Sequence, residues 1–183
     1  GTTAGSPPGA DAVASAAARS FLSALDLDRQ GRRISVLPWG DPDLTALASA
    51  SSSELLTLAD SRARTQVRRS LGTAPALDLG IPALGAADAR TLNLLAASGR
   101  EAVVLSSSTQ PTRRTSVSAT GGWTPTGRST VSTPSGTLTG LLYDPVLSTQ
   151  LARAGGTEAA AARQYLLADL AAITLERPYD VRH

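Results

Sequence analysis

The chain has 183 residues, enough for one domain with a sizeable core. It holds no cysteine, which excludes disulfides, thiol catalysis and thiolate metal sites. Its 17 basic residues, all arginine, nearly balance 15 acidic ones, so a net charge of +2 gives little reason to expect a nucleic-acid or acidic-membrane partner.

Hydrophobic residues make up 42% of the chain with a single Phe, so the core has to be built from Ala, Leu and Val. Gly1–Gly9 (GTTAGSPPG) has the composition of a flexible lead-in, and residues 10–183 are expected to form a single α/β domain. Asp11 is a candidate N-cap for a helix over 12–27, with Phe21, Leu22 and Leu25 as its apolar side. Gly31 ends that region, and Ile34–Trp39 is a candidate buried strand. A helix then starts near Pro42 and carries Leu44 and Leu47. Ser51 and Glu54 have capping-box spacing and open a helix over 52–71. Its face is Leu56, Ala59, Ala63, Val67 and Leu71, and Gly72 is its C-cap.

Ala76–Ile81 follows as a strand, then a helix over 86–98 with Leu92, Leu95 and Ala96 inward and Gly99 stopping it. Glu101–Ser106 (EAVVLS) has the uninterrupted apolar run of a buried parallel strand. Ser107–Gly122 is polar, contains Arg113 and Arg114, and has the length of a functional or mobile loop. Residues 128–132 and 137–143 can pair as a hairpin around Pro134, Ser135 and Gly136. Helices over 145–154 and 158–175 complete the chain, with Pro178 stopping the last. Strand–helix alternation is the pattern of a parallel α/β fold, a TIM-like or partial barrel in which the hairpin is an insertion.

Two junctions repeat one device. ISVLPWGDPDL (Ile34–Leu44) and LTGLLYDPVLSTQL (Leu138–Leu151) each run from an apolar strand through an aromatic residue and Asp-Pro into a helix. Capping explains the letters: Asp41 and Asp144 can accept from first-turn amides, Pro42 and Pro145 suit the first helical position, and Asp43 complements the helix dipole. A functional reading rests on location, because ligands of parallel sheets bind at the carboxyl ends of strands. There Trp39, Tyr143, Ser106 and the loop residue Trp123 are candidate ligand-binding residues. Asp41, Asp43 and Asp144 are candidate catalytic carboxylates for a glycosidase, which needs two at a set separation. An aromatic ring beside carboxylates is a common sugar-binding surface.

Other chemistries find less support. The single histidine is His183 at the chain end, so a Ser-His-Asp triad has no interior histidine and no metal ligand set is expected. Gly121-Gly122 lacks the P-loop lysine, Gly80–Gly85 lacks the dinucleotide fingerprint, and no cofactor is expected. The arginine run Arg62, Arg64, Arg68, Arg69 has no interleaved aromatics, which favours a solvated helix face over nucleic acid. No apolar run is long enough to span a bilayer, and no methionine opens the chain, so it is expected to be a piece of a longer protein.

LPWGDPDLTAL (Leu37–Leu47), IPALGAADARTLNLLAASGREAVVLS (Ile81–Ser106) and YLLADLAAITLERP (Tyr165–Pro178) resemble an uncharacterised family of large actinobacterial cell-envelope proteins. The GDPD block is the most specific part, and the likeness runs from about Ala10 to the C-terminus. Members are exported, anchored by a C-terminal transmembrane helix, and encoded beside the lipid II flippase. Their barrel is similar in style to polysaccharide deacetylases and some glycosidases. Here Trp39 stands where a tyrosine is common and Ile81 where a tryptophan often precedes the proline. No histidines are in place for a deacetylase metal site, so that activity does not carry over. The resemblance implies an extracytoplasmic module that binds cell-wall glycan or an envelope protein without chemistry of its own. A carbohydrate-active hydrolase using Asp41 or Asp43 with Asp144 is the alternative.

Overall fold

The computed structural model describes residues 10–28, 34–72, 74–109, 127–155 and 159–176. Helices α1 (Ala10–Asp28), α2 (Leu44–Ser49) and α3 (Ser53–Leu71) come first. Then follow β1 (Leu79–Gly80), a 3-10 turn at Ala83–Gly85, α4 (Ala89–Ala97) and β2 (Ala102–Ser106). The hairpin β3 (Arg128–Thr133) and β4 (Gly136–Tyr143) leads into α5 (Pro145–Arg153) and α6 (Ala159–Glu176).

The strands form one mixed sheet in the order β1-β2-β4-β3. β1, β2 and β4 are parallel, and β3 runs antiparallel on β4. Ahead of β1 the chain 34–36 adds a single parallel bridge, Ser35 to Ala76. The described strands therefore make an open sheet rather than a closed barrel. The hairpin is no insertion either. β4 is an interior strand, paired with β2 over Ala102–Ser106 against Thr139–Tyr143, and only β3 is extra. Its alternating pattern looks like a two-strand ribbon, but Leu138 and Gly140 on one face are buried, and that face belongs to the core.

The core is small and aliphatic. Leu44, Leu56, Leu95, Val103, Leu105 and Leu138 cluster with almost no exposure. Each fully buried leucine contributes about 1.5–3 kcal/mol. Helix α4 lies close on β1 because Gly80 has no side chain; a Cβ there would meet Leu95 Cδ1 at 2.8 Å. Asp88 caps α4, accepting from the Thr91 amide at 2.8 Å and the Thr91 hydroxyl at 2.6 Å. Helix α5 has no buried residue and packs on α6. On α1, Phe21 is 67% exposed rather than inward.

Three cap assignments change. α1 begins at Ala10, so Asp11 lies within it. α3 is capped by Ser52, without a side-chain bond, while Ser51 sits at φ 55° outside the helix. α2 is capped by Asp43, not by Asp41 ahead of Pro42. Gly72 does end α3 in the left-handed conformation, at φ 64°. The expected strand at Ile34–Trp39 reduces to the bridge at Ser35, and Trp39-Gly40 already turns. The lead-in 1–9, Arg113, Arg114 and Trp123 lie outside the described residues.

Candidate functional site

The three candidate carboxylates have different environments. Asp144 accepts from the amides of Val146 and Leu147 at 2.7 and 3.1 Å, and Pro145 takes the first helical position that needs no amide hydrogen. Asp43 accepts from Thr45 and Ala46 at 2.9 and 3.1 Å. Both are committed to the orphan amides of a first turn. Asp41 is not. Its amide donates to the Pro38 carbonyl at 3.2 Å, its backbone is left-handed at φ 45°, and its side chain is exposed and caps no helix.

Asp41 instead lines an open groove of about 400 Å³, together with Val36, Leu37, Pro38, Trp39 and Gly40. Ala63, Gln66 and Val67 of α3 form the opposite wall. Trp39 is 50% exposed, although its amide is tied to the Ala59 carbonyl at 3.1 Å. The backbone holds the residue in place while the ring stays open to solvent. The lining is mostly aliphatic, with Gln66, Asp41 and the indole as its polar groups.

The wall is anchored by a pair that local sequence spacing does not reveal. Asp60 of α3 and Arg100, just ahead of β2, form a two-point ion pair of 2.6 and 2.7 Å. The Arg100 side chain is 1% exposed and also donates to Ser98 Oγ at 3.0 Å. Its Nε is buried without a partner among the described residues. The sequence does carry a signal: Asp60 lies on the same helical stripe as Leu56 and Ala63, and a carboxylate on an inward stripe demands a cation.

Ser106 and Tyr143 come together elsewhere, at the ends of β2 and β4, where the chain itself fills the space. The Tyr143 hydroxyl donates to the Leu84 carbonyl at 3.0 Å. Thr109 Oγ1 lies 3.0 Å from the carbonyls of both Gly85 and Ser106. The Ser106 and Ser108 hydroxyls share a 2.8 Å bond. A Cβ on Gly85 would stand 2.5 Å from the Ser106 nitrogen and 2.7 Å from the Tyr143 ring. The Pro82–Gly85 turn thus occupies the place a ligand takes at the end of a parallel sheet, leaving Leu84 88% exposed at φ 56°.

The two clusters are far apart. The 34–36 segment, β1, β2 and β4 lie side by side, and three spacings of roughly 4.8 Å make about 14 Å. Asp43 and Asp144 each spend a carboxylate oxygen on the amides of a first helical turn, while Asp41 follows the 34–36 segment, at the other end of the strand order from β4 and Asp144. Among the described residues no three His, Cys, Asp or Glu side chains converge as a metal-binding group, and no helix is long and apolar enough to cross a membrane.

Residues 9–183 match a family of unknown function, DUF6049, and the chain belongs to that family. No curated protein and no solved structure matches it.

Proposed function

We propose that this DUF6049 domain is a non-catalytic recognition module of an extracytoplasmic cell-envelope protein, and that it holds its ligand, a cell-wall glycan or an envelope protein, in the groove beside Trp39. The observation that carries this reading is the half-exposed indole over an aliphatic groove, beside the one candidate aspartate that caps no helix. A half-exposed indole beside an aliphatic groove offers a large amphipathic surface of the kind that anchors ligands. The envelope setting rests on the resemblance of the GDPD block and its flanking segments.

The strand order supports a barrel-like reading of the parent fold. Segment 34–36, β1, β2 and β4 add in sequence in one direction, as strands do in a (β/α) barrel; a doubly wound sheet reverses order partway. Antiparallel β3 then occupies the edge where the next parallel strand of such a barrel would pair.

The test is retention of the purified domain on isolated actinobacterial cell wall. Asp41→Ala is the informative carboxylate variant, because Asp43→Ala would also remove a cap. Wild type is expected to be retained, and Trp39→Ala to lose retention with its circular dichroism unchanged. Absence of wild-type retention would remove the glycan and leave an envelope protein as ligand.

A further inference from the structure

We infer that the ligand of this groove is an extended peptide strand that adds to the open edge of the sheet at Ser35–Leu37. The inference rests on the groove being a binding site and names what fills it. In the bridge to Ala76, the Ile34 carbonyl accepts at 3.1 Å and the Val36 amide donates at 2.9 Å. Backbone groups of successive strand residues point to alternate sides. Ser35 and Leu37 therefore turn their N–H and C=O groups away from the sheet, and those groups have no hydrogen-bond partner among the described residues. An extended main chain presents donors and acceptors at the spacing that satisfies such an edge.

The groove adjoins this edge, since Val36 and Leu37 belong to both. A strand paired there would place alternate side chains toward Val36, Trp39, Ala63 and Val67. Those positions suit an aliphatic or aromatic side chain better than a sugar, which needs several hydrogen-bonding groups where the groove has Gln66 and Asp41. The opposite edge is a poorer template. β3 carries Arg128, Thr130 and Ser132 exposed along it, a polar edge of the kind that discourages pairing.

The experiment uses random heptapeptides selected by display on the whole domain, with a disaccharide-peptide fragment of cell wall as the second probe. The expected result is that selected peptides shift the Trp39 indole resonance and slow amide exchange at Ser35 and Leu37. N-methylation of alternate peptide nitrogens should weaken binding about tenfold, the loss of a buried interface contact. Val67→Arg, which fills the groove from α3, should do the same. Leu37→Pro removes one outward donor and should weaken binding more than Leu37→Ala. Peptides that leave Ser35 and Leu37 exchanging freely, or that tolerate N-methylation, overturn the inference, as does a selection that yields no binder. A wall fragment that shifts Trp39 without protecting these amides also overturns it while leaving the groove a binding site. If neither probe shifts Trp39, the underlying reading fails.

Discussion

At Tyr143-Asp144-Pro145 the ring packs on Gly85, the aspartate caps α5 and the proline opens the helix. At Trp39-Gly40-Asp41-Pro42-Asp43 the same sequence of residue types ends differently. The second aspartate takes the cap, the proline falls before the helix, and Asp41 is pushed into a left-handed conformation with its carboxylate in water. The extra Gly40, at φ 77°, lets the chain turn before the helix begins. One junction is sealed by its own chain and the other is open. The letters Asp-Pro set neither outcome; their neighbours differ, with Gly40 ahead and Asp43 behind in one junction and Tyr143 ahead and Val146 behind in the other.

The largest effect is expected where the wall of the open junction is held. Arg100→Met leaves the Asp60 carboxylate buried without its cation and should cost about 3–5 kcal/mol in denaturant unfolding. Adding Asp60→Leu should recover much of it, because the penalty is an unpaired charge rather than a lost attraction. Should the double variant be no more stable than the single one, the pair would hold α3 by geometry alone.

On the sealed side, Gly85→Ala should cost at least about 2 kcal/mol, since the new Cβ meets Ser106 and Tyr143 at a residue with φ 65°. Tolerance of that alanine would mean the turn lifts easily and the junction is not sealed.

The aspartates themselves give a mid-sized and direct comparison. Asp144→Ala and Asp43→Ala should each lose about 1 kcal/mol, and Asp41→Ala should stay within about 0.5 kcal/mol. Asp41→Gly should gain up to about 1 kcal/mol by relieving the positive φ. Equal losses at Asp41 and Asp43 would erase the distinction between the junctions.

The smallest effect concerns a third junction, built without proline. The Thr91 hydroxyl, then the Thr91 amide, hold the Asp88 carboxyl below its ordinary value of 3.8. A depressed value means the contribution to stability is present above that pH and is lost as pH falls through it toward the folded value. Thermal unfolding of wild type and Asp88→Asn should therefore run parallel at neutral pH and change spacing only below 3.8. Parallel curves throughout would show that the cap acts without its charge.

Local patterns make part of this legible in the sequence. The apolar run Val103–Leu105, the hairpin turn at Pro134-Ser135, Gly72 and the Asp144-Pro145 cap each depend on neighbours within a few residues. The rest depends on distance along the chain. β4 reads as half of a ribbon until β2 is found beside it, and Asp60 meets a cation 40 residues away. The groove is half visible: Trp39, Ala63 and Val67 stand out in the sequence, but their meeting depends on α3 crossing beside the 36–41 segment. Asp41 reads as a cap when it is none, because two good caps compete within three residues and spacing alone does not rank them.

The interior place of β4 bears on which parts of the chain are free to change length. β3 and β4 set their register through their own two-residue turn, which fixes their pairing locally. Closing a longer connection costs only about 0.6 kcal/mol per doubling of its length. Insertions between residues 109 and 127 should be absorbed with the sheet intact, whereas one added residue between Thr133 and Gly136 would slip the edge strand β3 against β4 and turn Val131 away from the core it packs on.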